Sequence, residues 1–264
     1  MKKELKLITE RFFEDYQSTI TFDIEKAFID LKQKDCTTQN FQFYTAVSVM
    51  ASSRIEGETL EIDSYLKHKI QEVEYLPNLT EKPNDLFSAY EFARDNKLNC
   101  KNFCKAHTIA TQHLLHENQR GVVRMGNMLI MDQETGQIQY EAALSSIVKS
   151  EFELFWQELD YLIQEKLLLE HIFYFASLIH LIFVKIHPFN DGNGRTARLL
   201  EKWFLVSHLG EKAWYIGSEF YYYKNLQDYY KNLARVGLFY ESLDYKKSIP
   251  FLQMLPKALI NDKN

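Results

Sequence analysis

A histidine, an aspartate, two glycines and two arginines fall within one short run, HPFNDGNGRTAR, from His187 to Arg198. An imidazole titrates near neutral pH, so His187 is a candidate base for a hydroxyl proton. Asp191-Gly192-Asn193-Gly194 is a tight loop in which the glycines relax the torsional limits, and Arg195 and Arg198 open the segment after it. A helix N-terminus carries about half a positive charge and favours Asp or Glu in its first turn. Two arginines there oppose that field, so an anion is expected among them. Backbone N–H groups of Gly192, Asn193 and Gly194 are expected to face the same place and form a nest for phosphates. Arg195 and Arg198 are three apart, share one helical face and can fork onto successive phosphates. Asp191 suits Mg2+, which takes one or two carboxylates together with phosphate oxygens and water; its other reading is a helix cap. Phe189 is expected to anchor the loop by burying its ring, whereas His113, His116 and His180 are read as satisfied packing histidines.

A second segment with unusual charge placement lies upstream at Ser52-Ser53-Arg54-Ile55-Glu56-Gly57. Glu56 falls in the last turn of an expected helix, where the dipole disfavours negative charge, and Gly57 supplies the stop. An acid so placed needs a cation.

Both segments need rigid elements to hold them. Leu167 to Ile186 is apolar on nearly every face, which predicts a helix at the centre of the core. His187-Pro188 must end it, because proline disfavours a helical conformation in the residue before it. A new helix is predicted from Arg195 to about Leu205. Phe41 to Ile55 repeats apolar residues at helical spacing, and so does Leu5 to Leu31, so the chain is expected to open with an amphipathic helix. Pro77 to Asn84 is polar and reads as a separator before a helix at Leu86 to Arg94. His107 to Glu117 and Ser146 to Glu165 predict further helices, and the aromatic-rich remainder from Trp214 is expected to be helical. Met128 to Met131 and Gln137 to Tyr140, flanking Glu134-Thr135-Gly136, predict a β-hairpin that must lean on the helices.

The whole chain agrees with a mainly α protein. Nine Gly and five Pro in 264 residues are few breakers, and 46% hydrophobic with 25% charged residues is an ordinary globular balance. A net charge of −5 argues against a nucleic-acid or anionic-membrane surface. The most apolar stretch, Ile172 to Val184, is too short to span a bilayer and contains His180. The N-terminus lacks the continuous hydrophobic region of a signal peptide. Cys36, Cys100 and Cys104 are odd in number and build neither a disulfide framework nor a zinc knuckle, so a reducing cytoplasm is expected.

HPFNDGNGRTAR matches, position for position, the signature HPFx[D/E]GNGRxxR, and in this it resembles the Fic (Fido) domain family. A weaker likeness spans Leu86 to Gly237, including Gly121 and Arg124 before the hairpin and Tyr229-Tyr230 with Leu233 after it. The resemblance implies a Fic-type helical bundle with one β-hairpin flap. It implies an N-terminal helical region over 1–84, a catalytic core over 85–210 and a C-terminal helical extension over 211–264. The implied activity is that of a protein adenylyltransferase, moving AMP from ATP with Mg2+ to a Ser, Thr or Tyr hydroxyl of a target protein. His187 would be the base and Asp191 the Mg2+ ligand. Gly192, Asn193 and Gly194 would cradle phosphates, while Arg195 and Arg198 hold the β/γ end. The flap, Met128, Leu129, Ile130 and Met131, would take an extended target segment as an added strand. Tyr229 and Tyr230 are candidate walls for adenine, with core packing as their other reading.

Ser52, Glu56 and Gly57 also fill the family's inhibitory pattern, [S/T]xxxE[G/N]. The resemblance implies that Glu56 pairs with Arg198 and obstructs the γ-phosphate. Two unit charges near 4 Å attract by about 4 kcal/mol at an effective dielectric near 20, whereas tenfold suppression needs only about 1.4 kcal/mol. Such a brake is strong and reversible. Other readings stay open on sequence alone: transfer of phosphate, UMP or phosphocholine, removal of AMP already attached, self-modification, and a nucleotide-gated interaction module or toxin component. The oligomeric state and the target are open as well.

Overall fold

The structure, a computed structural model, describes residues 4–31, 37–131, 136 and 138–261. Cys36 and the expected turn residues Glu134 and Thr135 lie outside them. The architecture is mainly helical with one small antiparallel hairpin, as expected.

Its centre is the pair α8 (Leu169–Ile186) and α9 (Asn193–Leu209). Every residue of α8 from Ile172 to Ile186 is buried, which follows from a helix apolar on all sides. By length and composition α8 could cross a membrane, but 83% of it is buried inside the protein, so it is the core helix. Around it pack α7 (Val148–Gln164), α5 (Pro77–Asp95), α6 (Cys100–Ala110) and α3 (Thr38–Ile55). Phe103, Phe183 and Phe189 meet ring to ring in this core, with Phe103–Phe183 centroids 5.3 Å apart. Phe189 therefore anchors the loop as expected, fully buried.

The N-terminal expectation is corrected. Leu5 to Leu31 is not one helix: α1 (Phe13–Thr19) and α2 (Ile24–Asp30) are separated by a break at which Asp23 caps α2 through the Lys26 N–H. Ahead of α1, the backbone N–H groups of Lys6, Leu7 and Ile8 all donate to the carboxylate of Glu158 on α7, at 2.6 to 2.9 Å. A carboxylate accepting three amides offers this segment a better partner than a helical turn.

Two further expectations shift. Pro77 to Asn84 is not a separator but the first half of α5, with Pro77 at its first turn and Pro83 inside. The expected boundary at residue 84 thus falls within a helix. Pro83 forfeits one hydrogen bond, yet Leu86, Phe87, Ala89, Tyr90 and Ala93 bury the face beyond it and hold the helix straight through. His107 to Glu117 is not continuous either, because α6 stops at Ala110. There Thr111 Oγ1 donates to the His107 carbonyl, and His113 turns to Asp85, giving its backbone N–H at 2.7 Å and placing its ring nitrogen at 2.9 Å. His113 and His116 are exposed rather than core residues; His180 is buried and satisfied.

The hairpin pairs β1 (Leu129–Met131) with β2 (Ile138–Glu141), with Ile130 opposite Tyr140. Past Trp214 the chain is helical only in short pieces: α4 (Ile62–Gln71) lies earlier, and α10 (Ser218–Lys224), α11 (Leu226–Ala234), α12 (Ile249–Leu252) and α13 (Met254–Asn261) close the fold.

Glu158→Ala leaves three backbone donors without their acceptor. Unfolding in urea should show a loss on the order of 3 kcal/mol, and a midpoint equal to the parent's would contradict this account of the N-terminal segment.

Candidate active site

The site begins where α8 ends. His187 adopts φ +51°, a left-handed conformation unusual for a residue with a side chain, and Pro188 prevents the helix from continuing. The surroundings hold this turn in place. Arg124, 2% exposed, donates from Nε to the His187 carbonyl at 2.7 Å and from its backbone N–H to the Pro188 carbonyl at 2.8 Å. Its guanidinium also reaches the Gly126 and Ala143 carbonyls, which ties the turn to the base of the hairpin.

His187 Nδ1 lies 3.2 Å from the Val184 carbonyl and 3.2 Å from the hydroxyl of Tyr140. The carbonyl can only accept, so Nδ1 carries the proton and Nε2 keeps its lone pair. Burial lowers the imidazole to about 4, with Arg124 and Lys185 adding to the effect, so the ring is neutral at physiological pH. Lys185 itself sits 3.8 Å over the Tyr140 ring and is lowered by burial to about 7. A neutral imidazole held by one nitrogen, with the other available, is the state a general base needs.

Across the loop, Gly192 has φ +76°, and a Cβ there would come within 2.5 Å of Thr111 Cγ2, so a larger residue cannot make this turn. His107 braces it from beneath: Nε2 donates to the Asp191 carbonyl at 2.9 Å while Nδ1 accepts the Gly121 N–H at 2.9 Å. Burial lowers His107 to about 4 as well. The Asn193 side chain and the Gly192 N–H are already engaged, which leaves the Asn193 and Gly194 backbone donors of the expected set. The Asn193 side chain is 1% exposed and closes on Phe189, accepting its N–H at 3.0 Å and donating to its carbonyl at 2.8 Å. The Gly192 N–H is taken by Asp191 Oδ1 at 2.6 Å. The nest therefore consists of the first backbone donors of α9, at Asn193, Gly194 and Arg195, which no intrahelical carbonyl can satisfy. Asp191 is exposed, with one carboxylate oxygen engaged in its own loop, which fits a site able to take a cation alongside a phosphate.

The arginines do not wait empty. Arg198, fully buried, donates from Nε to Ser52 Oγ at 2.8 Å and from NH2 to Glu56 Oε1 at 2.6 Å and the Ser52 carbonyl at 3.2 Å. Its NH1 meets the Tyr229 hydroxyl at 3.2 Å. Burial works to raise the Glu56 carboxyl, but Arg198, with Arg195 and His187, outweighs it and holds the group below its ordinary range. The same carboxylate lies directly over Gly194, where an added Cβ would collide with Glu56 Oε1. Glu56 thus occupies the anion position at the N-terminus of α9. The local cause is the end of α3. Gly57 turns left-handed at φ +88°, the Gly57 N–H donates to the Arg54 carbonyl and the Glu58 N–H to the Ser53 carbonyl. That stop projects Glu56 at Arg198 and swings Glu58 to Arg195, with Glu58 Oε1 3.0 Å from the guanidinium.

Tyr229 is not an adenine wall. It is 2% exposed, packed against Tyr222 and Phe251, and its hydroxyl bridges Arg198 and His180 Nε2. Tyr230 is half-buried and donates to the Ile55 carbonyl at 2.9 Å, tying α11 to the end of α3. On the flap, Leu129 and Met131 are exposed while Met128 and Ile130 are half-buried, so β1 presents alternate apolar residues outward. The far side of β2 is partly covered, because the Glu141 N–H donates to the Leu238 carbonyl at 2.7 Å.

Residues 97–205 match the model of the Fic/DOC family. Over this stretch the chain is similar to Fic domains. No curated protein sequence matches it. Among solved structures it resembles a Fic family protein from Desulfovibrio desulfuricans G20, at 21% identity and a TM-score of 0.71, over 96% of this chain and 72% of that one. It also resembles a Fic domain-containing signaling protein from Bacteroides thetaiotaomicron VPI-5482, at 17% identity and a TM-score of 0.67, over 90% of this chain and 91% of that one. A third likeness is to residues 134–508 of Fic-1 from C. elegans, at 16% identity and a TM-score of 0.60, covering 96% and 69% of the two chains. At these identities the likeness concerns the fold, and the Fic fold here encloses His187, the loop and both arginines. Members of the family are generally transferases.

The sequence reading missed Glu58, Lys82, Tyr140 and His107 as parts of the site. Only Glu58 carried a local signal, an acid two residues beyond Glu56 across the glycine stop.

Both histidines have folded-state values near 4, below the ordinary imidazole, so the unfolded chain binds protons first as pH falls. Stability should be full above about pH 6.5 and decline toward pH 4, by up to about 1.4 kcal/mol per pH unit for each histidine. An NMR titration checks it directly: the His107 and His187 ring signals should remain those of neutral imidazole at pH 6, and midpoints near 6.5 would refute the burial argument.

Proposed function

We propose that this Fic domain is a protein adenylyltransferase, transferring AMP from ATP to a Ser, Thr or Tyr hydroxyl of a target protein, and that Glu56 holds it off. The observation carrying this reading is the placement of the Glu56 carboxylate on Arg198 and above Gly194. A negatively charged side chain fills the position that the sequence assigns to a phosphate, within reach of a neutral imidazole.

With Glu56 withdrawn, the backbone donors at the start of α9 bind the phosphates, and Arg195 and Arg198 take the distal end. Asp191 would hold Mg2+, whose charge neutralises phosphate oxygens. A target segment adds to the edge of β1, using main-chain pairing and the outward Leu129 and Met131 side chains. The target hydroxyl gives its proton to His187 Nε2 as its oxygen attacks the α-phosphorus. The bond from that phosphorus to the bridging oxygen breaks, and pyrophosphate leaves against the two arginines. Tyr140 and the Val184 carbonyl keep Nδ1 protonated throughout, and Arg124 keeps the turn rigid. We place the reaction in the cytoplasm, with the target protein, and not nucleic acid or a membrane, as the partner.

The brake is a matter of charge. Removing Glu56 leaves a buried guanidinium short of an anion, which breaking a buried pair commonly penalises by about 3–5 kcal/mol. Glu56→Gly should therefore melt below the parent without ligand and regain stability with ATP and Mg2+, by about 2.7 kcal/mol at a hundredfold excess over Kd.

Intact-mass analysis after incubation with ATP, Mg2+ and a cell lysate tests the activity. The Glu56→Gly protein should add AMP to itself or to a lysate protein more than the parent does. Adding His187→Ala should cut transfer by about 10² to 10⁴ while ATP still binds. A gain of phosphate instead of AMP, or labelling indifferent to His187, would overturn the reading.

A further inference from the structure

Glu58 does more than follow Glu56 around the stop. One of its oxygens, Oε1, is 3.0 Å from Arg195 NH2 and also 3.0 Å from Lys82 Nζ. Lys82 comes from α5, outside residues 97–205, and its side chain is 37% exposed. Arg195 is 4% exposed, and its Nε is buried with no partner among the described residues. Two cations from different helices thus converge on one carboxylate oxygen, and one of them retains an unsatisfied buried donor. A buried donor without an acceptor is costly, and proteins rarely keep one unless a water or a ligand supplies the acceptor. The carboxylate supplies two oxygens and one negative charge; a terminal phosphate supplies three oxygens and more charge, enough for the Lys82 ammonium and both the NH2 and the Nε of Arg195.

We propose that Lys82 and Arg195 form a seat for the terminal phosphate of the nucleotide, plugged at rest by Glu58, and that Lys82 makes the site selective for a nucleoside triphosphate. This rests on the nucleotide-transfer reading above and adds to it a residue outside the His187–Arg198 motif. Glu56 and Glu58 flank Gly57, so a single displacement of the end of α3 uncovers Arg198, Arg195 and Lys82 together. Two carboxylates leave and three cations remain. A triphosphate tail fits that vacancy in charge, whereas a monophosphate does not reach its far end.

The test is calorimetric binding of ATP, ADP and AMP, each with Mg2+, to the full chain in the Glu56→Gly background. Lys82→Met should weaken ATP on the order of tenfold and leave AMP within about twofold, while Lys82→Arg should restore the ATP preference. Glu58→Gln should tighten ATP relative to the same background. An ATP-to-AMP preference unchanged by Lys82→Met, or an equal loss for both nucleotides, overturns the seat while leaving the transferase reading intact if labelling by ATP persists. Failure of the Glu56→Gly protein itself to bind ATP overturns both.

Discussion

The structure turns on keeping one guanidinium out of water. Arg198 is fully buried, and Ser52, Glu56 and Tyr229 together occupy its Nε, NH1 and NH2. A charge so placed demands both an anion and a complete set of acceptors, since either deficit costs several kcal/mol. Ser52 comes from α3 and Glu56 from its C-cap, Tyr229 from α11 and Arg198 from α9, so the demand recruits three parts of the chain to one point. Behind it, Tyr229 passes to His180, His180 to Glu201, and Glu201 to Tyr222, a buried polar chain that fixes the arginine's orientation from the core side. A second ion pair, Lys202 with Glu219, helped by Ser48, anchors α3 to α9 and α10 farther along. The helix that carries Ser52 is therefore clamped well away from its end.

The half around His187 is built on a different principle, rigidity of the backbone. A left-handed histidine, a proline after it and a glycine with positive φ make a path few sequences tolerate, and the path persists because neighbouring groups determine it several times over. Arg124 binds the carbonyls on both sides of the turn, Asn193 closes the loop onto Phe189, and His107 supports it from below. The turn and the loop are thus held in one geometry without any ligand, and on the proposed reading this would spare the reaction the cost of organising them.

Features set by neighbours in sequence were legible without coordinates. The core helix ending at His187-Pro188, the glycine loop, the hairpin and the stop at Gly57 all follow from residue types within a few positions of each other. What stayed hidden depends on partners far along the chain. Ile8 yields its N–H to Glu158, 150 residues away, and so the amphipathic spacing of the N-terminus does not become a helix. The Asn193 side chain looks free for a phosphate until Phe189 is seen to consume both ends of its amide. Tyr229 looks like a ring for stacking until its hydroxyl is found on Arg198. Pro77 to Asn84 has the composition of a linker, but the apolar face beyond Pro83 carries the helix through.

The meeting of α3 with α9 also sets how the resting protein responds to its medium. The negative end of one helix, with its two acids, abuts the positive start of the other, so the pocket is already close to neutral. On the proposed reading, a nucleotide entering it would trade places with an internal counter-ion and would not discharge a bare cationic hole. Dissolved salt screens exposed charge far more than charge matched in a crevice. Affinity governed by such a swap would vary only gently with ionic strength, so the setting of the pocket would belong to the protein's own wiring more than to the salinity around it.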